Sequence, residues 1–462
     1  MTTVAIVGAG PAGLRAAEVL VAAGLRPVLV DEAPRVGGQV YRQPHPALKR
    51  PLKAMYGAQA GAASALFARW LALQPQVDHR PDTLVWQVED RRLHLLSQGR
   101  PDTLAFDALV LATGATDRVM PFPGWTLPGV FTLGGAQVLL KSQAMLLGPR
   151  IVFAGSGPLL YLVASQYVKA GAQVAGVLDT APADARRRAL AGLLARPRMA
   201  AVGASLLLKL RLAGVPVHRH VRLVAAEGDE RVQALRWHDG TREHRLAVDA
   251  IAFGHGLRSE TQLADLAGCA FAFDAVEQAW LPTSDGDGRS SVRGVYLAGD
   301  GALLRGADAA ELAGARAAQA LLHDLRGTAL PPASAELASH GRWRVAMAAL
   351  SEPPADWAAQ APDDLVVCRC EQVTAGELRT CAAATGAREM NRLKAFSRIG
   401  MGRCQGRMCG ASAARLLAQA NGCELSTVGR LRAQPPVKPV PVSALASAID
   451  HAPPAPPEES DD

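Results

Sequence analysis

No cysteine occurs before Cys269, although the chain has 462 residues and seven cysteines. The first half therefore cannot be stapled by disulfides. Residues 1–3, Met-Thr-Thr, lead straight into a strand-like run without the basic region of a signal peptide. A reducing cytoplasm is expected, where structural disulfides are rare. Aromatic residues are also few: 9 Phe, 7 Trp and 5 Tyr, with a net charge of only +7. Without a dense Lys/Arg stripe and a stacking platform, nucleic acid is not an expected partner. No uninterrupted apolar run is long enough to span a bilayer, and the most apolar segment, Met199 to Ala213, is broken by Lys209 and Arg211. A transmembrane segment is not expected. What is present is 49% apolar and 20% charged residues. That suffices for buried cores in roughly three domains of about 150 residues.

Val4 to Val7 predicts a buried strand, and Gly8-Ala9-Gly10-Pro11-Ala12-Gly13 opens a helix running to about Ala23. Gly8, Gly10 and Gly13 fit G-x-G-x-x-G. The glycines permit a tight turn, backbone approach to a pyrophosphate and close helix–strand packing. The helix N-terminus then faces the anion. Pro27 to Val30 predicts the next strand, ending on Asp31-Glu32, with Asp31 placed 23 residues after Gly8 to accept from ribose hydroxyls. Three further segments follow in order: Gly37-Gly38-Gln39, Thr113-Gly114 at the end of a strand near Asp107 to Ala112, and Gly299-Asp300 after a strand near Gly294 to Ala298. Together they resemble the two-dinucleotide-binding-domain flavoproteins of the glutathione reductase type. The resemblance implies an α/β fold of two Rossmann-like domains that binds FAD through Gly8, Gly10, Pro11, Ala12, Gly13, Asp31, Glu32, Gly38, Gln39, Thr113, Gly114, Gly299 and Asp300. In that superfamily the late Gly-Asp motif holds the ribitol–phosphate part. Asp300 also reads as a simple helix N-cap.

A second unit begins near Ile151, with Gly155-Ser156-Gly157-Pro158 as its loop. It is degenerate. Leu160 stands at the third glycine position, and Leu178 at the acid position with Asp179 one step later. Leu160 is expected to crowd the helix against the strand and displace a pyrophosphate, which leaves NAD(P) binding in question. His255, in Phe253-Gly254-His255-Gly256, reads as a packing histidine or as a flavin neighbour. No cysteine pair follows Gly37, so a thiol–disulfide relay to the flavin is unsupported.

Cys368-Arg369-Cys370 and Cys404-x4-Cys409 are separated by 33 residues. Four thiolates in two close pairs suit a [2Fe-2S] cluster or a tetrahedral zinc ion. Gly402, Gly406 and Gly410 let backbone N–H groups point at sulfur, and a helix predicted from Ala411 directs its positive end there. Cys368 to Gly410 holds eight basic and three acidic residues, a net +5 that complements an anionic cluster. Cys269, Cys381 and Cys423 have no partner at ligand spacing and read as small apolar residues.

The cysteine segment resembles the bacterioferritin-associated-ferredoxin-like [2Fe-2S] domain. Over nearly its full length the chain is similar to the alpha subunits of bacterial opine oxidases, a hydrogen cyanide synthase subunit, and the alpha subunits of hydroxyproline and proline dehydrogenases. The resemblance rests on Gly38-Gln39-Val40-Tyr41-Arg42, Leu393-Lys394-Ala395-Phe396, Gly400-Met401-Gly402-Arg403-Cys404-Gln405-Gly406-Arg407 and Pro435-Pro436-Val437-Lys438-Pro439. At His255 a Tyr is usual in this group. The resemblance implies an electron-transfer subunit of a hetero-oligomeric amine or amino-acid oxidoreductase. Its implied partners are an amino-acid-oxidase-like beta subunit plus a small ferredoxin-like subunit. The alternative is a standalone NAD(P)H-dependent reductase serving a ferredoxin or dye. No residue stands out as acid or base for amine oxidation, so no catalytic residue is assigned. The expected organisation is 1–122 and 276–330 as the two parts of an FAD domain and 123–275 as an NAD(P)-like domain. Then follow 331–361 as a connector with a short helix around Trp343, 362–432 as the [2Fe-2S] domain, and 433–462 as an extended tail with a disordered end. The stiff Pro435 to Pro441 stretch is expected to be free to dock a partner.

Overall fold

In the computed structural model, residues 2–332 and 335–450 are described. The acidic end of the tail, 451–462, lies outside them. Val4–Val7 is buried on both faces and sits in a five-stranded parallel sheet. Its order is Val295–Leu297, Ala108–Leu111, Val4–Val7, Val28–Val30, Asp78–Arg80. Short aliphatic runs without alternation are what a sheet covered on both sides requires. The Pro11–Ala22 helix lies against Ala307–Arg326 so closely that a Cβ on Gly314 would stand 2.0 Å from the Ala12 carbonyl oxygen. An antiparallel sheet of Thr83–Glu89, Arg92–Ser97 and Arg100–Ala105 completes the unit.

The second unit repeats the plan. Its parallel sheet runs Val217–Arg219, Gln173–Asp179, Arg150–Ser156, Ala250–His255, Val130–Thr132, with an antiparallel sheet of Arg222–Glu227, Ala234–His238 and Glu243–Ala247. Ala115–Asp117 pairs with Leu257–Ser259 between the units, placing Thr116 opposite Arg258. The α/β architecture expected from the two glycine loops is the one found. Among the described residues no helix is long and apolar enough to cross a membrane.

Three expectations change. The connector holds a 16-residue helix, Ala335–Leu350, not a short piece. It crosses Ala185–Ala195 so tightly that a Cβ on Gly192 would meet the Arg342 carbonyl oxygen at 2.4 Å. The helix was hard to read because Gly341 and mixed polarity blur its periodicity. Second, the proline-rich stretch is not free. Val437 is 1% exposed, its N–H donates to the Trp86 carbonyl at 3.0 Å, and Lys438 pairs with Glu32. Third, the cysteine module is not a separate bead. Leu378, Leu393, Ile399 and Leu416 share one core with Trp125 and Phe253 of the second unit. Trp125 Nε1 donates to the Val366 carbonyl at 2.6 Å, and Trp357 Nε1 to that of Pro121 at 2.7 Å.

Candidate functional site

A cavity of about 2040 Å³ runs between the two units. It is well above the usual size for a drug-sized ligand. Gly8, Gly10, Pro11, Ala12, Asp31, Glu32, Gly38, Gln39, Thr113, Gly114, Gly299 and Asp300 all line it. Gly13 serves packing instead: a Cβ there would lie 1.8 Å from the Gly8 carbonyl oxygen. A Cβ on Gly10 would meet only the Gly38 Cα, at 3.7 Å. The room in front of Gly10 is therefore ligand space, and the helix that starts at Pro11 opens onto it without a side-chain cap.

The carboxylates are held by backbone. Asp31 accepts from Ala9 N–H at 2.5 Å and Ala33 N–H at 2.7 Å, tying the glycine loop to the end of the second strand. Asp300 Oδ1 accepts from the N–H groups of Arg305 and Gly306 at 2.9 and 3.0 Å, so the capping role and a place on the cavity wall coexist. Burial pushes both acids upward, and these N–H bonds pull the other way. Glu32 is paired with Lys438 of the tail. Thr113 Oγ1 donates to the Glu260 carbonyl at 2.6 Å, and the Gly114 carbonyl accepts from Glu260 N–H at 2.9 Å, which fixes the second unit against the first. Gln39 accepts from Arg42 Nε at 3.0 Å.

The second loop is closed, though not by Leu160. That side chain is fully buried in the core of its own unit. The obstruction is Ser351, after the Ala335–Leu350 helix. A Cβ on Gly157 would stand 2.4 Å from its Oγ, and Ser156 Oγ and Arg118 Nη2 donate to its carbonyl at 3.0 and 2.9 Å. Asp179, the displaced acid, accepts from Tyr161 Oη and Ala181 N–H. His255 is 3% exposed and does not line the cavity.

The four cysteines come together across the two sequence segments. The Cys409 thiol bonds to those of Cys368 and Cys404, and Cys404 to Cys370. Contact thus joins each member of the first pair to a member of the second. Among the described residues no group of His, Cys, Asp or Glu side chains forms a ready single-ion site; the thiols touch pairwise in a chain. Hydrogen bonds from Cys409 hold Cys368 and Cys404 below the ordinary thiol range, and Cys409 is raised in exchange. Backbone N–H groups of Cys370, Glu371 and Gly400 also point at Cys368, and those of Gly406 and Met408 at Cys404. This nest of donors around four soft ligands fits an anionic thiolate-bound centre. Cys404 alone of the four also lines the large cavity.

Sequence reasoning missed several residues. Arg258 donates to the carbonyls of Gly406 and Arg407 at 3.3 and 3.4 Å and lies beside Cys404 and Cys409. Arg407 pairs with Glu260 at 2.6 Å under the cavity wall. Lys141 lines the cavity, donates to the Val40 carbonyl at 2.9 Å, and is pushed down to about 8 by burial. No local motif marks any of these. Ser351 had one weak signal, the Pro353-Pro354 pair that stops the helix before it.

Comparison with known proteins agrees with this geometry. The profile of the pyridine nucleotide-disulphide oxidoreductase family matches residues 2–320. That of the sarcosine oxidase A3 domain matches residues 366–448, the segment likened above to a ferredoxin-like domain. The opine oxidase alpha-type component of Agrobacterium tumefaciens (strain Ach5) is 37% identical, over 96% of this chain and 90% of its own. Hydrogen cyanide synthase subunit HcnB of Pseudomonas aeruginosa is 36% identical, over 95% of this chain and 97% of its own. The crystal structure of L-proline dehydrogenase from P. horikoshii superposes with a TM-score of 0.72 at 21% identity, over 96% of this chain and 79% of that one, a likeness of fold. The chain therefore belongs to the pyridine nucleotide-disulphide oxidoreductase family and, within it, stands with the alpha-type components of the opine oxidases.

Proposed function

We propose that this chain is the FAD- and [2Fe-2S]-containing electron-transfer subunit of a hetero-oligomeric amino-acid or opine dehydrogenase or oxidase. It relays electrons from a partner amine-oxidising flavin subunit to an acceptor. The observation that carries the reading is that Cys404 lines the same cavity as Gly8, Gly10 and Asp300. In this reading Gly8, Gly10, Pro11, Ala12, Asp31, Gly38, Thr113, Gly114, Gly299 and Asp300 hold FAD, and Cys368, Cys370, Cys404 and Cys409 hold the cluster. A flavin takes up two electrons and releases them singly, and a [2Fe-2S] centre carries one.

The chain's own groups suit that task. Gly10 leaves room for the pyrophosphate. The N–H groups around Cys368 and Cys404 favour negative charge on sulfur. The pairwise chain of thiols supports an elongated two-iron centre over a single zinc ion. The relatives are named as components of an oxidase and of a synthase. Those names support an amino-acid-oxidase-like partner, and a small ferredoxin-like subunit is a further one. The alternative, an NAD(P)H-dependent reductase, is disfavoured by Ser351 in the second loop.

Anaerobic stopped-flow spectroscopy with opines and amino acids tests this. The isolated chain should keep its flavin oxidised, and added partner subunit should make bleaching substrate-dependent. In that complex Cys404→Ser should slow reduction of the acceptor while sparing flavin bleaching. Rapid bleaching of the isolated chain would place substrate oxidation here and sink the relay.

A further inference from the structure

The Ala185–Ala195 and Pro197–Leu212 helices form a hairpin that the reading above does not use. Only Leu210 of the second helix is buried. Leu190, Leu194, Leu208 and Leu212 are 55%, 70%, 55% and 78% exposed. Each pair is spaced i, i+4 and so shares one helix face. Gly192, midway between Leu190 and Leu194, faces the Ala335–Leu350 helix, which turns those two leucines outward.

The charge on this hairpin has one sign. Ala185 to Leu212 holds seven Arg and Lys and no Asp or Glu. Arg188 and Arg196 are held by Asp184, Glu352 and Asp308. Arg186, Arg187, Arg198, Lys209 and Arg211 make no ion pair among the described residues, and all five are exposed. Large exposed apolar faces mark interaction sites. A protein interface depletes unmatched charge at its centre. Leucines on one face with unpaired cations around them are instead the composition of an element lying in a bilayer interface.

We propose that this hairpin seats the protein on an anionic phospholipid bilayer. The four leucines enter the acyl boundary and the five free cations meet headgroup phosphates. The inference does not depend on the electron-transfer reading. Leu190, Leu193, Val202 and Leu206 also line the outer arm of the cavity, so the seated surface includes the cavity rim.

The test is co-sedimentation of the full chain with vesicles of phosphatidylglycerol and phosphatidylcholine, or of phosphatidylcholine alone, at low and high salt. Binding should require phosphatidylglycerol and fall by roughly tenfold or more at high salt, because headgroup attraction is screened within a Debye length. Two variants, Leu190→Ser/Leu194→Ser/Leu208→Ser/Leu212→Ser and Arg187→Glu/Arg198→Glu/Lys209→Glu, should each lose binding. They change exposed residues only, and unchanged thermal unfolding certifies their fold. Equal sedimentation with neutral vesicles, or retention of binding by either variant, overturns the proposal. So does a wild-type chain that ignores vesicles while an amine-oxidising subunit protects the hairpin amides from exchange, which would make the face a protein interface.

Discussion

Ser351 occupies the ground that Gly157 leaves free. A Cβ on Gly157 would come 2.4 Å from the Ser351 Oγ, and Ser156 Oγ donates to the Ser351 carbonyl at 3.0 Å. In a working dinucleotide fold that ground belongs to the pyrophosphate. The second unit has kept the sheet and loop of a nucleotide domain and filled the seat with the chain's own helix end.

Excess NADH or NADPH should therefore leave the flavin oxidised under anaerobic conditions. Flavin absorbance after mixing is the readout. Bleaching within the time of a turnover would mean that Ser351 yields to the nucleotide and would revive the reductase reading.

Gly10→Val should abolish flavin binding without unfolding the chain. The new side chain enters ligand space, since protein atoms near that Cβ begin only at 3.7 Å. Flavin absorbance should vanish, while unfolding stability should stay within about 1 kcal/mol of wild type stripped of flavin. Full flavin occupancy in the variant would show that the Gly8 loop is not the binding loop.

Cys404→Ser in the full chain should remove iron and acid-labile sulfide, and Cys381→Ser should not. Cys381 touches none of the four clustered thiols, and its carbonyl accepts from Thr385 Oγ1. Metal and sulfide analysis after anaerobic purification decides. Zinc in place of iron, or equal losses in both variants, contradicts the assignment. The full chain is needed because the module shares its core with Trp125 and Phe253.

His255 predicts an acid limb in stability. Burial, then Arg118 and Arg415, push it down to about 3 from its ordinary 6.5, and its Nδ1 lacks a partner. Between those values the unfolded chain binds the extra proton. The contribution is complete above about 6.5 and falls with pH by about 1.4 kcal/mol per unit towards 3. Denaturant unfolding of wild type and His255→Gln from pH 7.5 to 5 checks the sign. The gap in favour of wild type should shrink on acidification, and a constant gap would remove His255 as the cause.

The sequence by itself determined what short-range patterns encode. Gly8, Gly10 and Gly13 must stand together for one turn to form, so their spacing revealed the first unit, and Gly155 and Gly157 revealed the second. The spacing of Cys368, Cys370, Cys404 and Cys409 announced a ligand set, and Gly299-Asp300 a return to the first sheet. Leu160 looked like the obstacle in the second loop, but its direction depends on helix register, and it points into the core. Only the tertiary structure decided the long-range contacts. Ser351 reaches Ser156 across 195 positions, Val437 buries against the Thr83–Glu89 strand, Cys368 meets Cys409, and Cys404 opens onto the cavity. Such contacts require the chain to close very long loops, an entropy cost that grows slowly with length and is offset by apolar area buried between units. No local run of residues records which surfaces will supply that area.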